Sequence, residues 1–395
     1  MASTTTSHSS ATHDAASSDE GSTIDSSSGY CASTGIYYSR RPPVELPSDP
    51  FLTLPTFILH RPSFDPSAIA FIDCKTGASL SYSLLRDRVY AVAESLSRGF
   101  GLSPGTVVLV LSPNSIDFGV LILAILAAGG IITTTNPLNH PSEIAKQATD
   151  SQAQLIAAVP SLLHKLISLP THNLPLILLR ETPITHPSSS SSSSAPEMSF
   201  ARTISFSDLI LTRRDHTSTR SHFSFHRGRQ DDTAALLYSS GTTGTSKGVI
   251  LTHRNFIAQI NLLLREQPAE GSLPWNCRTY MCLIPMFHVY GMAFFGCGLM
   301  ARGATTVLQK KFDFLETLEA IQKYKVTHLP VVPPVLIGMA KLPVVKKFDL
   351  SSLVEVGSGA APLSKEVIQA FHGRFQNVRI AQVIIIRKDH PNLSL

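Results

Sequence analysis

Ten consecutive residues, Ser239 to Gly248, are serine, threonine or glycine with one exception, Lys247. They stand between two apolar runs in "LLYSSGTTGTSKGVILTHRN". Gly241, Gly244 and Gly248 permit positive φ and close backbone approach, so successive N–H groups can converge on one concavity. Ser239, Ser240, Thr242, Thr243 and Thr245 add neutral donors, and Lys247 adds a charge that can pair with a phosphate. Nucleotide binding is the direct inference. The order is not that of a Walker loop, GxxxxGK[ST], because Lys247 follows Ser246 and precedes Gly248, and no Walker B aspartate follows an apolar strand.

Three later stretches carry further chemistry. In "EVGSGAAPLSKEV", Gly357 and Gly359 leave a backbone path free of side chains, and Gly359, Ala360 and Ala361 are small enough for a flat ring to lie against them. A plain strand-to-helix turn needs less than that succession of small residues. In "LIPMFHVYGM", His288 and Tyr290 follow a Pro-Met-Phe run; by residue type alone His288 reads as a buried, hydrogen-bonded histidine. In "LQKKFD", Lys311 reads as an exposed cation and Phe312 as a packing residue.

The elements that must position these residues are those of an α/β protein. With 395 residues, 43% of them hydrophobic and 15% charged, the chain can fill one large α/β domain or two subdomains. Leu84, Leu85, Val89, Val92, Ala93 and Leu96 recur at helical spacing over 82–100, and "TVVLVLSPNS" is a β-branched run closed by a turn signal, as a strand covered on both faces requires. The apolar stretch from Phe118, "FGVLILAILAAGGIITTTNP", falls short of the roughly 20 residues of a membrane span and predicts a buried helix running into a strand. Short apolar runs in "AQLIAAVP" and "LPLILL" complete the pattern of a mostly parallel sheet with helices on both sides.

The net charge of +5 is small and its basic residues are scattered, so no nucleic acid is implied. Five cysteines without paired spacing, and 15 histidines without an HExxH arrangement, give no metal site and suggest a reducing compartment. Residues 1–48 read as a disordered Ser/Thr-rich leader with no secretory signal, and a region of about 185–230, which includes "PSSSSSSSAP", reads as a mobile insertion.

The order "YSSGTTGTSKGV", then "LIPMFHVYGM", "LQKKFD" and "EVGSGAAPLSKEV", resembles the acyl-adenylate-forming superfamily, and in particular plant 4-coumarate:CoA ligases and their relatives. The resemblance implies a large N-terminal adenylation domain of stacked, mostly parallel sheets with helices over 49–382. It implies ATP, Mg²⁺ and CoA, and an acid substrate such as a hydroxycinnamate or a fatty acid. Catalysis would fall to Lys247 and His288. Ser239, Ser240, Gly241, Thr242, Thr243, Gly244 and Lys247 would bind the nucleotide, with Gln382 and, for CoA phosphates, Lys311. His288, Tyr290, Gly359, Ala360 and Ala361 would line the acyl site. A monomer in the cytoplasm or peroxisome, neither secreted nor membrane-spanning, is expected.

After Gln382 the pattern departs from the superfamily's QGYGxTE and runs as a divergent tail, "VIIIRKDHPNLSL", over 383–395. The expectation is therefore a chain without the small C-terminal domain, with impaired ligase turnover; a non-catalytic protein that still binds a nucleotide or an acyl group is the alternative. The end of the chain, Leu-Ser-Leu, differs from the peroxisomal Ser-Lys-Leu.

Overall fold

The computed structural model describes residues 24–39, 41, 43–61, 65–167, 169, 174–181, 200–211, 225–239, 246–265, 273–359 and 361–382. Two compact units are formed, Met1–Glu45 and Leu46–Leu395. In the first, strands β1 (Tyr30–Cys31) and β2 (Ile36–Tyr37) pair antiparallel, with Tyr30 opposite Tyr37. The preceding turn is closed by Asp25, whose Oδ1 accepts the N–H groups of Ser27 and Ser28, each at 2.7 Å. This hairpin lies within the segment expected to be a disordered leader and corrects that expectation for 24–39; its strands are two residues each, too short for a period to show.

The second unit begins with α1 (Leu54–Leu59), the pair β3 (Ile69–Asp73) and β4 (Ser79–Ser81), and α2 (Tyr82–Glu94), which continues as a π-helical turn over Ser95–Gly99. Then come β5 (Val107–Leu111), α3 (Ile116–Ala127), β6 (Ile131–Thr134), α4 (Pro141–Asp150), β7 (Leu155–Ala158) and β8 (Leu176–Leu178). β9 (Thr203–Ser205), α5 (Phe206–Leu211), β10 (Thr233–Ser239), β11 (Lys247–Thr252) and α6 (His253–Arg265) follow. The last third holds β12 (Thr279–Cys282), a π-helical segment (Gly291–Gly298) running into α7 (Leu299–Arg302), β13 (Thr305–Leu308), α8 (Phe314–Tyr324), β14 (His328–Val331), α9 (Pro333–Lys341), β15 (Glu355–Ser358), α10 (Lys365–Arg374) and β16 (Arg379–Gln382).

These strands form two seven-stranded sheets, in the orders β11-β10-β6-β5-β7-β8-β9 and β16-β15-β14-β12-β13-β3-β4. Every pairing is parallel except those of the edge strands β11 and β4. One core lies between the sheets and unites Val108, Val110 and Ile132 of the first with Phe71, Tyr280 and Cys282 of the second. α3 is sealed inside that core, with all twelve residues buried, which is why its sequence after Asp117, a residue paired with Arg180, is apolar around the whole circumference. The outer face of the first sheet packs on α4 through Ile144 and Ala148, and that of the second on α8, α9 and Phe371 of α10. The result is the expected α/β architecture of stacked, mostly parallel sheets with helices. No described helix is long and apolar enough to cross a membrane.

Within the region read as a mobile insertion, residues 200–211 are an edge strand and a helix: β9 pairs with β8, and Phe206 and Leu209 of α5 are fully buried. A three-residue edge strand carries too little periodicity to be seen in advance. Residues 182–199 and 212–224 of that region lie outside the described residues, as do 1–23 and 383–395.

Candidate functional site

The segments singled out by their chemistry all leave their strands at or near the carboxyl ends, where loops from neighbouring parallel strands converge and ligands of open α/β sheets bind. β10 ends at Ser239 and β11 begins at Lys247, and these two residues are partners across an antiparallel pair. The Ser/Thr/Gly run therefore connects two antiparallel partner strands. Ser239 and Lys247 are exposed; Ser240, Gly241, Thr242, Thr243 and Gly244 lie outside the described residues.

The stem of this hairpin is braced from α4. Tyr238 Oη donates to Asp150 Oδ2 at 2.6 Å, and desolvation, then the Asp150 carboxylate, hold that hydroxyl well above the usual phenol range, so it remains a donor. On the adjacent strand β6, Thr133 Oγ1 donates to Leu236 O at 2.7 Å. Gln147 Nε2, from α4, donates to Thr133 Oγ1 at 3.1 Å and to Thr134 O at 2.9 Å.

The turn that carries His288 and Tyr290 follows β12 in the other sheet, yet it is fastened to the first. Asn114, just past β5, takes the Met286 N–H on Oδ1 at 2.7 Å and gives Nδ2–H to Ile284 O at 3.1 Å. Thr134, the last residue of β6, gives its hydroxyl to Phe287 O at 2.6 Å. Asn114 and Thr134 are buried, so these bonds hold the turn in a water-poor setting where polar groups left unpaired are costly. Sequence reading missed both residues. The available signal was the polar pair of runs "SPNS" and "TTTNP" standing directly after buried strands, where side chains face the ligand end of a parallel sheet.

His288 is exposed, which corrects the reading of a buried histidine. Its Nδ1 accepts the Tyr290 N–H at 3.3 Å, and its own N–H donates to Pro285 O at 3.1 Å. The side chain thus serves the first turn of the helical segment rather than the core, and in the neutral ring the proton sits on Nε2. Tyr290 is 40% exposed and stacks on Phe294, with ring centroids 5.5 Å apart. Phe294 meets Tyr280 edge-on, and Tyr280 in turn stacks on His328 at 4.6 Å. An aromatic wall therefore runs from the His288 turn into the space between the sheets.

The remaining segments flank that wall. The Gly359 N–H donates to Val331 O at 3.3 Å at the ends of β15 and β14, and Gln382 pairs with Ser358 at the end of β16. Ala361 is exposed and Ala360 lies outside the described residues. Lys311, beyond β13, is exposed, whereas its neighbour Lys310 is paired with Glu181 at 2.7 Å. Phe312 is 48% exposed and is not the packing residue its type suggested. Thr135 Oγ1, just past β6, and Ser358 Oγ, at the end of β15, are buried without a hydrogen-bond partner among the described residues. Such orphaned hydroxyls at a ligand-facing strand end suit a polar ligand that completes them. Among the described residues no group of three or more His, Cys, Asp or Glu side chains could hold a metal ion.

Residues 60–384 match the family model described as "AMP-binding enzyme". The chain is 42% identical over 363 residues to a probable CoA ligase, CCL5, of Humulus lupulus, with 91% of this chain and 61% of that protein covered. It is 41% identical over 364 residues to the peroxisomal OPC-8:0-CoA ligase 1 of Arabidopsis thaliana, with the same coverage of 91% and 61%. The chain thus spans about 61% of the length of these relatives. Among solved structures, the luciferase-like enzyme of the nonluminescent mealworm Zophobas morio superimposes with a TM-score of 0.71 at 22% identity, covering 87% of this chain and 74% of that one. That likeness speaks to the fold.

Proposed function

Because the chain belongs to the family of AMP-binding enzymes, we propose that it binds ATP at the β10–β11 hairpin, activates a carboxylic acid as its acyl-adenylate and passes the acyl group to CoA. The observation that supports this reading is the Thr134–Phe287 bond, which fastens the His288 turn to β6, the strand paired with β10; an acid held at that turn would lie on the side of the sheet where the β10–β11 connection would hold a triphosphate.

In the first half-reaction a carboxylate oxygen of the acid attacks the α-phosphorus of ATP, and the bond to the departing pyrophosphate breaks. Negative charge gathers on phosphate oxygens, so the task of the protein is positioning and cationic stabilisation. Ser239, Ser240, Gly241, Thr242, Thr243 and Gly244 would hold the β and γ phosphates with Lys247 as the countercharge. Mg²⁺, bound with the triphosphate, would supply further neutralisation of the phosphate charge. His288 Nε2–H is a donor available to the acid's second oxygen, and Gly359, Ala360 and Ala361 would let the acyl and adenine groups lie along the β15 exit beside Gln382. In the second half-reaction the CoA thiol attacks the acyl carbon, AMP leaves and the thiol proton passes to solvent; Lys311 would meet CoA phosphates. The aromatic wall from Tyr290 to Tyr280 suits a hydroxycinnamate or a fatty acyl chain. One relative is described as peroxisomal, and we place this protein in the cytoplasm or peroxisome.

Calorimetric titration of the full chain with ATP is expected to show binding that weakens about 10- to 100-fold in Lys247→Ala, the effect of a lost charge-assisted hydrogen bond. Exchange of labelled pyrophosphate into ATP in the presence of hydroxycinnamic and fatty acids tests turnover. Heat without exchange leaves a nucleotide-binding role and removes the ligase activity; no heat from the folded protein removes both.

A further inference from the structure

α4 reaches both halves of the site. Toward the phosphate hairpin, Asp150 holds Tyr238, and Gln147 holds Thr133, which holds Leu236. Toward the acid site, Gln147 fixes the Thr134 carbonyl while the Thr134 hydroxyl carries the Phe287 carbonyl, one residue before His288. Adjacent residues of one strand therefore brace two different segments, and Thr134 is where the second branch leaves.

We propose that Thr134 is a positioning residue that sets the span between the stem of the β10–β11 pair, where Ser239 faces Lys247, and the His288–Tyr290 turn, so that an acyl-adenylate is gripped more tightly than ATP alone. This rests on the ATP reading above. The Thr134 hydroxyl is buried and bonded at 2.6 Å to a main-chain carbonyl rather than to a side chain, so its loss frees the turn itself. Asn114 would still hold Ile284 and Met286, which leaves the turn in place at its start and unfixed at Phe287. Among the described residues the hairpin stem keeps its bonds, because those to Thr133 and Asp150 do not use the Thr134 side chain. A bisubstrate ligand and ATP must therefore respond differently to the same substitution, which a general loosening of the fold does not produce.

The test uses the full chain, ATP, and two stable acyl-adenylate analogues, cinnamoyl- and octanoyl-sulfamoyl adenosine. Thr134→Val keeps shape and removes the hydroxyl; Thr134→Ser keeps the hydroxyl and controls for folding. Expected are an ATP affinity within about twofold of the parent in both variants, a roughly tenfold weaker grip on whichever analogue the parent binds best in Thr134→Val, and recovery in Thr134→Ser, as loss of one buried hydrogen bond implies. Equal analogue affinity in Thr134→Val and the parent, equal weakening of ATP and analogue, or no recovery in Thr134→Ser would each overturn the proposal. A parent chain that binds neither ATP nor analogue instead brings down the nucleotide reading, and this inference with it.

Discussion

Replacing Gly291 by alanine is expected to be among the most damaging single changes in this chain. A Cβ there would lie 2.0 Å from Pro285 O, 2.6 Å from Pro285 C and 2.9 Å from Met286 Cα, all of them backbone atoms. A flexible side chain could swing away from such a contact, but a main chain cannot unless the turn moves as a whole. Asn114 and Thr134, both buried, oppose that movement with three hydrogen bonds to Ile284, Met286 and Phe287. Adding the cost of overpacking, about 1–3 kcal/mol, to the loss of one or two of those bonds at about 1 kcal/mol each puts the destabilisation at roughly 2–5 kcal/mol. Urea unfolding at neutral pH measures it. A loss below about 1 kcal/mol would mean that the turn yields freely, and would contradict the clamp described for it. The same substitution displaces His288 and Tyr290, so analogue binding is expected to fall even where the protein folds.

Mild acid is the second large lever. His253 is buried at the start of α6, where its Nδ1 accepts the Leu54 N–H at 3.2 Å; burial, above all, lowers its pKa from the ordinary 6.5 to about 4. His328, buried against Tyr280 and bonded to Thr327 at 2.8 Å, is lowered to about 3 by burial first and then by Arg278, Arg379 and Arg302. The folded chain keeps both rings neutral between pH 6.5 and these lower values, whereas the unfolded chain takes up protons near 6.5. The unfolded state binds more protons in that window, so the stability these groups lend is full above pH 6.5 and is lost as pH falls through 6.5 toward 4 and 3. By pH 5 the loss is about 2 kcal/mol for each histidine, from 1.36 kcal/mol per unit. Urea midpoints at pH 7 and pH 5 read the combined effect. His328→Phe, which keeps a ring against Tyr280 but cannot titrate, is expected to roughly halve the difference between the two pH values, since His253 still titrates; an unchanged difference would show that His328 is not held neutral by its burial.

Much of the candidate site was legible because its signals are local. A seven-residue apolar strand, a run of glycines and hydroxyls, and a second strand must fold back on themselves, and β10 and β11 do so with Ser239 opposite Lys247. α3, apolar apart from Asp117, and the doubly covered β5 were readable for the same reason: burial on all sides leaves a continuous hydrophobic run. His288 shows the limit. Its type favoured burial, but its ring accepts the Tyr290 N–H where the helical segment begins, and a preference of a few tenths to about 1 kcal/mol yields to a helix terminus that needs an acceptor.

Residue order alone pointed to a glycine- and hydroxyl-rich connection between two strands, a Pro-Met-Phe-His turn and a small-residue strand exit, since each depends on neighbours in the chain. That these meet depends on pairs far apart in it: Asn114 with Ile284 and Met286, Thr134 with Phe287, and Tyr238 with Asp150. A hydrogen bond between residues 153 positions apart leaves no periodicity to read. Only the stacking of two sheets on a shared buried helix brings its donor and acceptor to 2.6 Å.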